Sequence, residues 1–545
     1  MPATVQSLLT NITPANSNAG FGVWKRDGTG GSPSAVSEAD VFIQGTGACS
    51  VKVSNQGVVL AYGTGGINLS AAGTHLYIWA NMLAGGLMAS RQNGGLCIFV
   101  SSDPTLTSGA NYKMWAVDGA DTYPGGFVRY VIDLSKQATI SQGTLNLADV
   151  RHVGMYCDTR PNVAKFDNLV IDRIDYTAGP ALRVYGTSTV DDLFGDILAA
   201  DEGTVANKYG ILTSKAGVIY CRGRIALGDG AGVNASNLTD VDKTIVWENP
   251  QYWNGAAVDS CVSASLFRLD FTGNAVGNTT IQFGKKVGAG DTARGRNGLT
   301  FQSAGPQVGM SFDNGLVNSA KIYGSTFRRI TGSISWGTNS AHEMIGCSID
   351  QSGQFDPVGS IQIRNCVFSG YQGAAAALRW RSTINIKNCQ FLANSNGSNA
   401  SAIEHQTTSI SVTYDNLTFS GNDFDIYVNN TTGVLTVNSA NGSNPTSSRN
   451  VGASSTVINN AVPIVLSGLV AGSRIWIYNE TDGVTLFNEV VAGTEFSNSV
   501  NFTGVKALSV RVRNASGSPK YKPYATSGSL TSSGFSAQIN QELDE

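Results

Sequence analysis

The chain has 545 residues and a net charge of −3, with 14 % charged residues, 41 % hydrophobic residues and 64 glycines. That composition can fill several cores, but it is poor in helix formers and rich in turn formers, which excludes a helical bundle and favours an all-β protein of several domains. Lys and Arg (36) barely trail Asp and Glu (39), no basic segment can neutralise a row of phosphates, and no apolar run reaches membrane-spanning length, so neither nucleic-acid binding nor membrane insertion is expected.

The opening stretch, MPATVQSLLTNITPANSNAG, lacks the basic start and long apolar core of a secretory leader, which predicts synthesis and folding in a cytoplasm. The eight cysteines include no CxxC pair and there are four histidines, so no metal and no cofactor is expected, and the thiols read as buried fillers.

Residues 1–178 read as one sandwich or jelly roll. Short strand candidates recur every ten to twenty residues, among them Val58–Tyr62, Leu76–Ala80, Leu96–Val100 and Tyr112–Val117, separated by Gly, Asn and Asp clusters. The closing KFDNLVIDRIDY alternates apolar and polar residues and resembles the last strand of carbohydrate-binding or concanavalin-like jelly rolls. Trp24, Trp79 and Trp115 are either core or a sugar-stacking platform. Residues 179–204 read as a linker and a capping helix, with Thr189 as its N-cap and Leu193, Phe194, Ile197 and Leu198 on its buried side.

Residues 205–450 read as one run of coils, and roughly 298–440 of it carries an internal repeat. A four-residue unit recurs as Gly324-Ser-Thr-Phe327, Gly346-Cys-Ser-Ile349, Asn365-Cys-Val-Phe368, Asn388-Cys-Gln-Phe391 and Asn416-Leu-Thr-Phe419, preceded two residues earlier by Ile322, Met344, Ile363, Ile386 or Tyr414. The apolar period of two means strand, and the repeat length suits one coil of a parallel solenoid about 4.8 Å from the next. Like side chains then stack, Phe368 with Phe391 with Phe419. Asn365, Asn388 and Asn416 supply the left-handed corner and an amide ladder. This pattern resembles the right-handed parallel β-helix proteins; the hand comes with the resemblance.

Residues 455–527 alternate like a small immunoglobulin-like sandwich, and 528–545 read as a C-terminal tail with little core. The whole arrangement resembles bacteriophage tailspike, tail-fibre and head-appendage proteins. The resemblance implies a homotrimeric structural protein of the virion, made in the host bacterial cytoplasm. It would bind other proteins of the tail, neck or head and contact host surface polysaccharide. Two alternatives stand beside attachment: a polysaccharide depolymerase (hydrolase or lyase), and a head or collar decoration. Catalysis needs paired carboxylates. The candidates are Glu343, Asp350 and Glu404, with Asp270, Asp313, Asp356 and Asp415 as further acids; Glu404–His405 is placed in a loop, and the balance leans against an enzyme. Trp336, Tyr371 and Trp380 are the candidates for an exposed sugar-binding face.

Overall fold

The computed structural model describes the chain apart from residues 1, 14–17, 30, 41, 44, 83–89, 118–125, 161–165, 203–208, 230–236, 264–267, 272–278, 305–308, 313–316, 331–333, 337–341, 358–360, 382–384, 407–408, 503–504, 515–518, 532 and 545. Strands make up 57 % of the protein and helix 3 %, the all-β class that the turn-rich composition predicts. The chain divides into two compact units, Met1–Lys285 with Gly295–His342, and Lys286–Arg294 with Glu343–Glu545.

The first unit opens with two antiparallel sheets. One runs Val128–Asp133, His75–Met82, Phe166–Thr177, Ala48–Ser54, Val36–Glu38. The other holds Tyr112–Val117, Leu96–Ser101, Val150–Asp158, Gln56–Ile67 and Phe21–Gly28. Residue 178 is not a boundary for these sheets. Thr4–Ser7 leaves them and pairs antiparallel with Leu182–Tyr185, while Gln251–Trp253 and Val258–Ser260 return from later in the chain and add to the edge strand Tyr112–Val117. Both departures cover strand edges that would otherwise present unpaired N–H and C=O groups.

Beyond these sheets the first unit lays down parallel strands in three ladders. Leu182–Tyr185, Ile225–Leu227, Arg268–Phe271, Gly309–Phe312 and Ile334–Trp336 form the first. Thr189–Val190, Asn237–Asp240, Thr279–Phe283 and Val317–Tyr323 form the second. Val218–Cys221, Thr244–Trp247, Thr300–Ser303 and Thr326–Arg328 form the third. The helix is shorter than expected, Leu193–Glu202, because Thr189–Val190 is a strand of the second ladder. Asp192 caps it instead, accepting from the Gly195 N–H at 3.2 Å. Its Leu193, Phe194 and Ile197 are fully buried, and Phe194 packs on Phe283 and Phe301 with ring centres 6.1 Å away in each case.

The second unit repeats the scheme. Phe355–Pro357, Ala376–Trp380, Ser401–His405, Phe424–Val428 and Ser448–Asn450 make one parallel ladder. Ile361–Arg364, Asn385–Lys387, Ile410–Asp415, Val434–Ala440 and the start of Ser455–Ser467 make the next. Ser348–Asp350, Val367–Ser369, Gln390–Leu392 and Thr418–Ser420 make the last. The chain visits the ladders in rotation, so identical positions of successive circuits fall in register. Phe368 stacks on Phe391 at 5.0 Å and Phe391 on Phe419 at 5.2 Å, with rings 9° and 10° from parallel. Cys347, Cys366 and Cys389 line up beside them as buried thiols, each backbone N–H at 347 and 366 reaching the next sulfur at 3.4 Å.

The corner asparagines adopt the left-handed conformation, φ 55° at Asn365, 54° at Asn388 and 53° at Asn416. The expected amide ladder forms one rung: Asn416 Nδ2 donates to Asn388 Oδ1 at 2.9 Å. The other two amides donate to carbonyls of the segment Lys286–Arg294, Asn388 to Asp291 at 3.0 Å and Asn365 to Ala293 at 2.6 Å. Asn416→Ala should therefore cost about 1–2 kcal/mol, mostly for forcing a Cβ-bearing residue without a polar side chain into this corner. Asn416→Gly, which keeps the φ and loses only the rung, should lose less; the ranking is read from denaturant midpoints.

A second column of amides escaped the repeat. Asn394, Asn422 and Asn444 donate from Nδ2 to the carbonyls of Phe368, Phe391 and Phe419, at 3.2, 3.2 and 3.3 Å. Each ties the corner that follows a strand to a carbonyl of the preceding circuit, so the amides bridge successive circuits.

No linker separates the ladders from the C-terminal sheets. The strand Ser455–Ser467 serves both: its first half is the last parallel rung, and Ala461–Ser467 pairs antiparallel with Glu495–Asn501. Residues 528–545 are not a loose tail. Tyr524–Leu530 pairs with Lys506–Arg513, and Phe535–Gln538 runs parallel to Ile464–Ser467, burying Leu530, Phe535 and Ile539 in the C-terminal core. The stretch looks core-poor because, among its described residues, Leu530, Phe535 and Ile539 are buried in that core and Ala537 packs against it.

Candidate functional site

In the first unit a pocket of about 400 Å³ is lined by Trp79, Phe127, Arg129, Lys215, Tyr220, Arg222 and Glu248, among others. Its volume suits a small polar ligand. Local sequence explains the wall. The Asp201 carboxylate, at the end of the helix, accepts four successive N–H groups from Tyr209 to Leu212, at 2.6–2.8 Å. That grip holds Gly210 at φ 67°, against Trp79; a Cβ at 210 would sit 2.2 Å from the indole. Trp79 is thereby pressed to the pocket edge, 7 % exposed, with no partner for its Nε1 among the described residues.

Arg129 forms the floor. It is 2 % exposed, ion-paired with Asp175, and lies 5.4 Å from the ring centres of both Tyr77 and Trp79. Its Nε and Nη1 find no acceptor among the described residues. Burial pulls its pKa down, and Asp175 opposes that pull. Arg222 pairs with Glu248 and donates from Nη1 to the Arg129 carbonyl at 2.9 Å. An indole edge, a phenol and cationic donors around a water-sized-to-sugar-sized space can hold a hydroxylated or acidic ligand; no nucleophile–base pair stands among them. Sequence reading singled out Trp79 alone of this set, since Arg129, the pair Tyr220 and Arg222, and Glu248 come from separate parts of the chain. Trp115 is core, donating from Nε1 to the Lys136 carbonyl at 3.0 Å, and Trp24 packs half-buried against Tyr112 and Phe99.

In the second unit the three acidic candidates fall on three different ladders. Glu343 is held by Lys286 Nζ at 3.0 Å, and Asp350 accepts from the Ser369 hydroxyl at 3.2 Å. Glu404 lies in the strand Ser401–His405, not in a loop, and is fully buried. Register sets it in a column with Arg379 before it and Tyr427 and Arg449 after it. Gln354, Gln406 and Asn429 donate to its carboxylate at 2.6, 2.9 and 2.9 Å, and Arg379 lies 3.4 Å away. Arg379 also donates to Asp356 at 2.6 Å. Burial pushes the Glu404 carboxyl up, but Asn429, Gln354, Arg379 and Gln406 together carry it below its ordinary value. A carboxylate held ionised and filled with donors is a clamp between rungs, not a proton donor. Asp313 lies outside the described residues.

The aromatic candidates are corrected likewise. Tyr371 and Trp380 are 8 % and 7 % exposed and offer no open face. Trp380 takes an inward position of its alternating strand and stacks on Tyr414 at 5.4 Å, while the Tyr371 hydroxyl accepts from the Ala375 N–H at 3.3 Å. Trp336 ends the strand Ile334–Trp336 in register with Phe312, and its side chain lies outside the described residues. Among the described residues no cluster of His, Cys, Asp and Glu is arranged to hold a metal ion. No protein-family model and no curated protein matches this chain.

Proposed function

We propose that the three ladders are the sheets of a right-handed parallel β-helix. The sheets of the first unit are then a jelly-roll sandwich, and those at the C-terminus an immunoglobulin-like sandwich. On this reading the protein is a homotrimeric structural component of a bacteriophage virion, a tail-fibre or tailspike-like appendage that attaches to the host surface. The observation that carries the reading is the in-register aromatic column, Phe368 on Phe391 on Phe419 at 5.0 and 5.2 Å. A solenoid of this kind satisfies its backbone laterally and is stiff, which suits a spacer that must hold a binding surface away from a particle. The strand Ser455–Ser467 joins its last rung to the C-terminal sheets without a hinge. Three copies would multiply weak contacts with a repetitive glycan.

Attachment is favoured over depolymerisation because Glu404, the acid with the most elaborate surroundings, is held ionised and enclosed. The test uses the purified full chain. It should sediment as a trimer, and, added in excess to host cells, it should slow adsorption of the phage while releasing neither reducing ends nor unsaturated sugars from the surface polysaccharide. Sugar release would favour the depolymerase; a trimer that leaves adsorption untouched and maps to the head would favour the decoration protein.

A further inference from the structure

The C-terminal sheet built from Thr485–Val491, Ser473–Asn479, Lys506–Arg513 and Tyr524–Leu530 has two unlike faces. Ile475, Ile477, Leu508, Val510 and Val512 point into the core. By the two-residue alternation of a strand, Arg474, Trp476 and Tyr478 stand on the opposite face, beside Arg511 and Arg513 of the neighbouring strand. Register places Arg474 directly across from Arg513 and Trp476 across from Arg511.

Three features of this face point to a ligand. First, like charges directly opposite in a sheet repel, yet among the described residues no carboxylate pairs with Arg474, Arg511 or Arg513. Among the described residues the face therefore supplies no counter-charge of its own. Second, Trp476 is 43 % exposed, the largest aromatic surface on this face, and its ring is fixed by a hydrogen bond from Nε1 to the Thr485 hydroxyl at 3.1 Å. Arg511 lies 5.9 Å from the Trp476 ring centre and 5.5 Å from that of Tyr478, so aromatic faces and guanidinium form one platform. Third, the face is concave: a depression of about 530 Å³ is lined by Arg474, Trp476, Asn488, Arg511, Arg513 and Tyr524 with their neighbours.

We propose that this depression binds an acidic polysaccharide, with a sugar ring laid on Trp476 and its anionic group, carboxylate or phosphate, taken by the Arg474–Arg513 pair. A planar ring accepts the C–H face of a pyranose, and guanidinium forks match carboxylate and phosphate oxygens. Asn488 supplies an amide for a ring hydroxyl. The assignment deepens the host-surface reading and rests on it for the source of the glycan; the geometry of the site does not depend on it.

The test is affinity electrophoresis of the full chain through gels containing polygalacturonate, a polyglycerol phosphate or neutral dextran. Retardation by at least one acidic polymer, none by dextran, and weakening by raised salt are expected. Trp476→Ala and the double variant Arg474→Gln with Arg513→Gln should each weaken binding tenfold or more. All three side chains are exposed, so the variants should melt as the parent does. Which acidic polymer binds separates the carboxylate from the phosphate source. No retardation by either polymer overturns the proposal, as does retardation that the variants leave unchanged. A change of oligomeric mass on substitution, with glycan binding intact, assigns the face to contact between copies and also overturns it. If the parent slows phage adsorption but binds no acidic polymer, this site falls and the attachment reading stands; if it binds the polymer without affecting adsorption, the reverse holds.

Discussion

Phe391→Ala is expected to destabilise the second unit by about 3–5 kcal/mol, the usual cost of removing a buried phenyl ring. Phe391 is fully enclosed and is the middle member of its stack, with Phe368 on one side at 5.0 Å and Phe419 on the other at 5.2 Å. Neither neighbour can close the gap, because each is held in its own rung by backbone pairing, Val367–Ser369 and Thr418–Ser420 to Gln390–Leu392. The hole therefore persists, and both flanking rings lose a packed face. The melting temperature of the unit should fall by about 10 °C, given the usual relation between stability and midpoint in domains of 150–250 residues. Phe391→Leu, which keeps most of the volume, should lose less than half as much. Equal midpoints for parent and Phe391→Ala would mean that the rings do not form a column at all.

That column was readable because two signals coincide in the sequence: the apolar alternation gives the strand, and the Asn-Cys-x-Phe unit gives the register. Where only one signal is present, reading stops short. Trp380 and Tyr371 look like ligand-binding aromatics on residue type alone, and burial depends on the alternation of AALRW and on the turn after Gly370, which residue type does not carry. The Asn394, Asn422 and Asn444 column had a fainter mark, Phe-x-x-Asn in FLAN and FSGN, and the third member breaks that spacing. Glu404 reads as loop because it stands about a dozen residues ahead of the repeat unit, in the long stretch 393–408; its buried carboxylate is satisfied by Gln406 beside it and by Gln354, Asn429 and Arg379, which belong to other circuits. The pocket at Trp79 lay further out of reach. Its cations come from positions 129, 215 and 222, and only the tertiary fold makes them neighbours. The exposed arginines on the C-terminal sheet could be seen in SRIWIY and VRVR as outward positions, but not the register that sets Arg474 against Arg513.

Acidification between pH 7 and pH 5 should destabilise the second unit ahead of its Glu404 and Asp415 carboxylates, which are held below their ordinary values; in the first unit the buried Asp240 carboxyl, pushed up to about 6, takes up a proton over the same interval and offsets part of the loss. All four histidines have depressed pKa values. Burial brings His342, in the first unit, down to about 4, and His405, in the second, down to about 3. Hydrogen bonding agrees with the direction. His342 Nδ1 accepts from the Ala320 N–H at 2.9 Å, which requires that nitrogen unprotonated. His405 Nε2 shares one hydrogen bond with the Tyr414 hydroxyl at 2.8 Å, while its Nδ1 has no partner among the described residues, so a charged ring would bury an N–H without an acceptor there. In the unfolded chain both rings titrate near 6.5. Below that value the unfolded state binds more protons than the folded one, so stability is complete above about pH 6.5 and is lost progressively as pH falls toward the folded values. By pH 5 each ring should have cost its unit about 2 kcal/mol, from 1.5 pH units at 1.36 kcal/mol each. The Glu404 clamp, with its depressed pKa, is lost only further down, as pH falls below the ordinary carboxylate range. His405→Phe separates the two effects: it keeps a ring beside Trp380 and Tyr414, starts from a lower melting temperature for want of the shared hydrogen bond, and should remove the slope of the second unit between pH 7 and pH 5. A melting temperature that stays level across that interval in the parent, or a slope that survives His405→Phe unchanged, would show that this ring is not held neutral inside the ladders.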